Sequence, residues 1–580
     1  MVLQDKIWLG TSKEGQVTLL KQMANRHGLI SGATGTGKTV TLQVLAEGFS
    51  KLGVPVFLAD IKGDLPGLCL PGELNEKIQK RLEQTGASGF SPKGNPVVFW
   101  DVFGEKGHPV RTTVSEMGPL LLGRMLDLNE TQTGVLHLVF RIADDEGMLL
   151  IDLKDLRAML TYCGENAGQY TLRYGNITKA SVGAIQRAIA ILEEQGGNDF
   201  FGEPALEITD WLRLDENGNG LVNILSAEQL FLRPNLYSAF LLWMLGELYE
   251  VLPEQGDQGP LRMAFFFDEA HLLFKDCSKS LLDKIELTIR LIRSKGIGVF
   301  FITQNPADVP SSVLAQLSGR VQHALRAFTP AEQRIVKSVA ETFRVNPEFD
   351  TEQTILSLGT GEALLSFLDE EGTPGMTQKA IILPPESRIG IISENLRGEM
   401  INTSDLYGKY EESFDRISAY EVLSAKFFGH GVQATSVLTE EEPVQAPEQE
   451  APVPTMVKTS FKVFDPQTGT YVTQESFVPA PVQPQQQTVY SPQPAGVPQV
   501  QVQTPPVLVY NPKTGQYEPG ELPAKAQQAS PKAEKPVKAR KEKTLAERMI
   551  ENVARSTASG AGYTIGRTLS RNILGVFGIK

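Results

Sequence analysis

Residues 32–39 read Gly-Ala-Thr-Gly-Thr-Gly-Lys-Thr, and no other stretch constrains the fold as much. The octet matches the phosphate-loop pattern G-x-x-x-x-G-K-[ST] at each fixed position. Gly32, Gly35 and Gly37 let the backbone turn tightly and aim successive N–H groups at a phosphate. A helix starting near Lys38 adds the positive end of its dipole. In this pattern Lys38 reaches the β- and γ-phosphates of ATP and the Thr39 hydroxyl holds Mg2+. Ala33, Thr34, Thr36 and Val40 complete the expected cradle. Gly28-Leu29-Ile30-Ser31 reads as a strand feeding the loop, and residues 41–49 have helical spacing.

A second stretch pairs with the first. Arg262 to Phe267 is apolar after its first residue and runs into Asp268-Glu269, the Walker B layout. Asp268 is expected to hold Mg2+, and Glu269 to polarise the attacking water. The letters Asp268-Glu269-Ala270-His271 also occur in DEAH helicases, but the other motifs of that class are not visible. Gly298 to Asn305 reads as another strand, with Gln304 at its end beside the expected γ-phosphate or simply capping the strand.

The remaining chain divides by composition and rhythm. Residues 1–27 form a hairpin lid, and 28–102 the first part of an ATPase core. Within that part, Val54 to Asp60 is a buried parallel strand. Asp60, at its carboxyl end, faces either a bound nucleotide or metal, or only its own loop. Residues 103–222 break the βα rhythm as a helical insertion. Its Lys154, Arg157, Lys179 and Arg187 either meet a phosphate backbone or line a solvated face. Residues 223–430 resume the core. Residues 431–543, rich in Pro and Gln, lack the apolar residues to bury a core and read as a disordered linker. Inside it Phe464-Asp-Pro-Gln-Thr-Gly-Thr-Tyr471 recurs as Tyr510-Asn-Pro-Lys-Thr-Gly-Gln-Tyr517, a hairpin-like repeat. Residues 544–580 form a basic, Gly-rich end.

Taken in order, these motifs resemble the HerA–FtsK superfamily of pumping ATPases, within it the bacterial HerA-like branch of YjgR-type proteins. The resemblance spans roughly residues 5–400. It runs from Asn25-Arg26-His27-Gly28 and the phosphate loop through Asp60-Ile61-Lys62-Gly63-Asp64 and Phe267-Asp268-Glu269-Ala270-His271. It ends with Ile292-Arg293-Ser294-Lys295-Gly296 and Thr303-Gln304-Asn305-Pro306. The resemblance implies a RecA-like core that assembles as a ring, usually a hexamer, and moves DNA through its pore. It also implies that Gln304 senses the γ-phosphate. An arginine is expected to reach a neighbouring subunit's phosphate, with Arg26 and Arg293 at matching places and Arg320 and Arg326 as lesser candidates. The segment ahead of the loop is short where archaeal HerA helicases carry a barrel that docks a nuclease, so a nuclease partner is not implied.

The net charge of −13 disfavours non-specific nucleic-acid binding by the whole surface, although it leaves room for a local basic channel. Three cysteines, none in a C-x-x-C pair, argue against a disulfide framework and fit a reducing cytoplasm. No apolar run reaches eighteen residues, so no transmembrane helix is expected. The expectation is a Mg2+-dependent ATP hydrolase working as a hexameric DNA translocase. The alternative is an ATP-driven motor or switch that acts on protein partners recruited through residues 431–580.

Overall fold

The computed structural model describes residues 2–256, 259–274, 279–428, 456–479, 508–511 and 516–519. The chain divides into two units, Met1–Pro481 with Ser570–Lys580, and Val482–Leu569. The described part of the second unit is an antiparallel pair of strands, Leu508–Asn511 and Gln516–Pro519, with Tyr510 opposite Tyr517.

The first unit is built on a sheet of thirteen strands. Eight of its strands are parallel. From one side they run Gly319–Gln322, Gly28–Ser31, Ile297–Thr303, Met263–Phe267, Val56–Asp60, Val222–Ser226, Val97–Asp101 and His108–Pro109. The central ones are apolar along their whole length because helices cover both faces. Alternate residues serve opposite layers. Phe57, Phe265, Phe267, Val299 and Phe301 enter one core, shared with the helical insertion and the helix Pro234–Val251. Leu58, Phe266, Phe300 and Ile302 enter the other, under the helix Lys38–Lys51. Each of these aromatic rings contributes about 1.5–3 kcal/mol by burial. The sheet is therefore rigid where its carboxyl edge presents the phosphate loop, Asp268 and Gln304.

The N-terminal hairpin is not a lid. Strands Lys6–Ser12 and Gly15–Leu20 pair with each other, and Lys6–Ser12 also pairs antiparallel with Gln378–Ile382. Through Glu362–Ser366 this group joins the parallel strands, so the hairpin extends the sheet. Ile7, Trp8 and Leu9 are buried, and placing them against the second core gives the hairpin its position.

Residues 103–222 are mainly helical, with Val114–Met125, Glu130–Glu146, Leu153–Glu165 and Lys179–Glu194 as the long elements. Two of the basic residues named above are held by acids of this chain. Lys154 pairs with Asp415 and Glu421, and Arg157 pairs with Glu193 at 2.6 Å. Helices Glu394–Asn402 and Ala419–Phe428 follow the last strand of the sheet.

The expectation of an unstructured 431–543 differs from the structure over residues 456–479. Met456–Asp465 and Thr470–Pro479 form a hairpin in full ten-residue register. Its Phe464 is buried in the first core, and Arg262 lies over that ring at 4.3 Å. Arg213 covers Phe461 at 3.6 Å, and Leu214 exchanges backbone hydrogen bonds with Lys462. Mean composition hides this local run of aromatic and β-branched residues, which is what a docked hairpin needs.

Candidate nucleotide site

The strand Gly28–Ser31 releases the chain into the loop at the carboxyl edge of the sheet, where open α/β sheets bind ligands. Gly32, Gly35 and Gly37 have φ of 151°, 75° and 118°, a region that side chains with a Cβ rarely adopt. At Gly32 a Cβ would also fall 2.5 Å from the Cβ of His323. Lys38 is buried and donates to the carbonyls of Gly32 at 2.6 Å and Ala33 at 3.0 Å, so it braces the loop from inside. Thr36 donates to the Ala33 carbonyl, and Ala33 N–H donates to the Ala324 carbonyl. The helix Lys38–Lys51 begins at Gly37 without a side-chain cap, leaving its first N–H groups aimed into the loop. Thr39 and Val40 are half-buried in its first turn. Glu47, buried one helical turn before the helix ends, accepts from the backbone N–H groups of Glu386 and Ser387 and fixes the helix from below.

The Walker B turn sits two strands away. Asp268 accepts from the N–H of Glu269 at 2.9 Å, and Tyr237, buried beneath, donates its hydroxyl to the Asp268 carbonyl at 3.0 Å. Burial pushes the Asp268 carboxyl up to about 6, against the pull of Lys62 and Lys38. Glu269 is buried and has φ of +48°, an unfavourable conformation for a residue with a Cβ. Its Oε1 accepts from the side-chain amide of Gln304 at 3.0 Å, and Gln304 Oε1 in turn accepts from Thr34 of the phosphate loop at 3.2 Å. Its Oε2 is buried without a hydrogen bond and lies 3.4 Å from His271 Nδ1.

The structure thus brings together the loop residues 32–40, Asp268, Glu269 and Gln304. It places the arginines elsewhere. Arg26 and Arg293 precede the strands Gly28–Ser31 and Ile297–Thr303, at the opposite end from the loop, a strand length of roughly 13 Å for the first and roughly 23 Å for the second at about 3.3 Å per residue. Both lie near His27, whose charged form they oppose. Arg326 donates to the carbonyls of Leu356 and Leu358, and Arg320 to that of Leu314. Asp60 accepts from the N–H groups of Asp64 and Leu65, so it closes its own turn.

Two further residues stand in the site, and neither was assigned a role from the sequence. His323 follows the strand Gly319–Gln322 and forms the wall behind Gly32 and Gly37. Its ring lies 2.8 Å from the Thr41 hydroxyl and 3.0 Å from the Glu362 carbonyl, and burial lowers its pKa to about 4, keeping it neutral. Lys62 stands exposed in the turn after Asp60, and its charge acts on both Asp268 and Lys38. A position directly after a parallel strand was the available clue for His323.

The profile of the helicase HerA-like C-terminal family matches residues 6–492. The chain belongs to this family. No curated protein matches it. Among solved structures, this HerA-like chain is similar to the bacterial conjugative coupling protein TrwB, with 15% identity, 66% of this chain and 91% of that chain covered, and a TM-score of 0.44. A TrwB structure in complex with ADP and Mg2+ has 15% identity, coverage of 64% and 88%, and a TM-score of 0.43. VirB4 of Thermoanaerobacter pseudethanolicus has 14% identity, coverage of 66% and 97%, and a TM-score of 0.43. Among the described residues of this HerA-like chain, no helix is long and apolar enough to cross a membrane.

Proposed function

We propose that this HerA-like chain is a Mg2+-dependent ATP hydrolase that works as a ring-shaped, cytoplasmic DNA translocase. The observation that carries the reading is the hydrogen-bonded line Glu269–Gln304–Thr34, which ties the Walker B carboxylate to the phosphate loop. The residues fit a bound triphosphate. The loop glycines leave a cradle that a Cβ would fill, and Glu269 Oε2 is a buried acceptor without a hydrogen bond, suited to the proton of a water. Among the described residues no three acidic, His or Cys side chains cluster around a metal position. By the Walker A and Walker B motifs, Mg2+ would be held by Thr39 and Asp268 together with phosphate oxygens, where it neutralises developing charge.

In this reading the loop N–H groups and Lys38 orient the β- and γ-phosphates. Glu269 orients the attacking water and takes its proton. Gln304, bonded to both Glu269 and Thr34, carries a change at the γ-phosphate into the strand Ile297–Thr303. Arg26 and Arg293, on the far edge of the sheet from their own loop, suit a role at a neighbouring subunit's phosphate in a homo-hexamer.

The test is steady-state ATP turnover by the full chain with and without duplex DNA, beside a Glu269→Gln control. Turnover that requires Mg2+, rises with DNA and is lost in the control supports the reading. Turnover indifferent to nucleic acid moves the function to a motor or switch on protein partners. That second reading is favoured by Lys154 and Arg157, which are neutralised by acids of this chain.

A further inference from the structure

The strand Val56–Asp60 runs parallel and directly beside Met263–Phe267, with Leu58 opposite Phe266. Their carboxyl ends therefore release the turn at residues 61–65 and the Walker B turn side by side. The first turn is fixed from two directions. The Asp60 carboxylate accepts from Asp64 and Leu65 N–H groups at 3.2 and 3.3 Å. Gly63, at φ +70°, backs onto Glu228 so closely that a Cβ would lie 2.2 Å from Oε1, and Glu228 is itself paired with Lys106.

Lys62 is left exposed at the tip of this clamped turn. Among the described residues it makes no hydrogen bond and no ion pair. Of all the charges acting on Asp268 and on Lys38, that of Lys62 is the strongest at each. Two ammonium groups at the same carboxyl edge of the sheet repel each other, and the repulsion is relieved when a polyanion arrives.

We propose that Lys62 is a second phosphate-contacting cation of the site, reaching the terminal phosphate of a nucleoside triphosphate from the neighbouring strand end. This rests on the ATP-hydrolase reading. During hydrolysis water forms a bond to the γ-phosphorus, the bond to the β,γ-bridging oxygen breaks, and the water's proton passes to Glu269. Lys62 exchanges no proton and stabilises charge on the γ-phosphoryl oxygens, from within the same chain.

The experiment compares Lys62→Ala, Lys62→Arg and Lys38→Ala in the full chain. It measures ATP turnover and, by calorimetry, the binding of ADP and of the non-hydrolysable β,γ-imido analogue of ATP. Lys62→Ala is expected to lower kcat by about 100–1000-fold, the size of one lost electrostatic contact in a transition state. It is expected to weaken the imido analogue about tenfold while leaving ADP within about twofold, and Lys62→Arg to restore part of both. Lys38→Ala is expected to weaken both ligands. A Lys62→Ala protein with wild-type kcat and an unchanged preference for triphosphate over diphosphate overturns the proposal while leaving the hydrolase reading intact. A wild-type chain that binds neither nucleotide overturns both.

Discussion

Gln304 donates its side-chain amide to Glu269 at 3.0 Å and accepts from Thr34 through the other end of the same group. One planar amide therefore links two strand ends and the phosphate loop. Gln304→Ala is expected to cut ATP turnover by roughly 10–100-fold while nucleotide affinity changes less than about threefold, because Lys38 and the loop N–H groups stay in place. Rapid-quench turnover beside equilibrium binding checks this. An equal loss in both would place Gln304 in uniform binding instead.

Glu269 holds a strained backbone, at φ +48°, and an unsatisfied buried oxygen. Glu269→Gly removes both burdens. It is expected to raise unfolding free energy by roughly 1 kcal/mol, net of the added chain entropy, while abolishing turnover. Urea denaturation paired with an ATPase assay reads the two effects in opposite directions. A destabilised Glu269→Gly protein would show that the turn is held by contacts of the carboxylate rather than strained by it.

Much of this site was legible because its signals are local. Glycine at 32, 35 and 37, and two acids directly after an apolar strand, carry their meaning within ten residues. His323 escaped, and the role of Lys62 within its motif went unassigned, for the opposite reason. Their importance comes from strand order, which sets Asp60 beside Asp268 and His323 behind Gly32, and no local pattern states that order. The α/β rhythm and the helical insertion followed from periodicity, and the RecA-like core from the family resemblance. The antiparallel flank did not, since nothing in Lys6–Ser12 says that its partner is Gln378–Ile382. The hairpin at 456–479 was half visible, as a turn repeat whose docking on Arg213 and Arg262 is a tertiary fact.

His27 supplies a pH dependence with a definite sign. Its Nδ1 accepts from Val299 N–H at 3.0 Å and its Nε2 donates to the Ile289 carbonyl at 2.7 Å, so the neutral ring is the one that fits. Burial lowers its pKa to about 4, below the ordinary 6.5. The unfolded chain therefore takes up a proton first, and the contribution of His27 is present above pH ~6.5 and lost as pH falls toward ~4. The loss approaches about 3 kcal/mol at ~1.4 kcal/mol per pH unit. Asp60 and Asp268, raised to about 6, act oppositely over the same range, because the folded form protonates first. The comparison that isolates His27 is wild type against His27→Asn, which keeps an acceptor for Val299. Their urea midpoints should converge from pH 6.5 to 4, and parallel curves would remove His27 from the pH response.

Phe464 anchors the late hairpin. Phe464→Ala is expected to cost roughly 3 kcal/mol, the lower end for a buried phenylalanine, and to release the hairpin without unfolding the sheet. Hydrogen exchange reads this at two amides, Leu214 and Lys462, which bond to each other's carbonyls at 2.9 and 3.0 Å. Both should lose protection together while amides of the strand Met263–Phe267 keep theirs.

The strand that delivers the phosphate loop, Gly28–Ser31, has Ile297–Thr303 on one side and Gly319–Gln322 on the other. On a ribosome it emerges long before either neighbour. At about 5–20 residues per second, the loop waits on the order of tens of seconds before its flanking strands and the His323 wall are made. The nucleotide pocket is thus among the last parts of this unit that can close during synthesis. Until then its apolar strand edges are available to chaperones, or to the wrong strand.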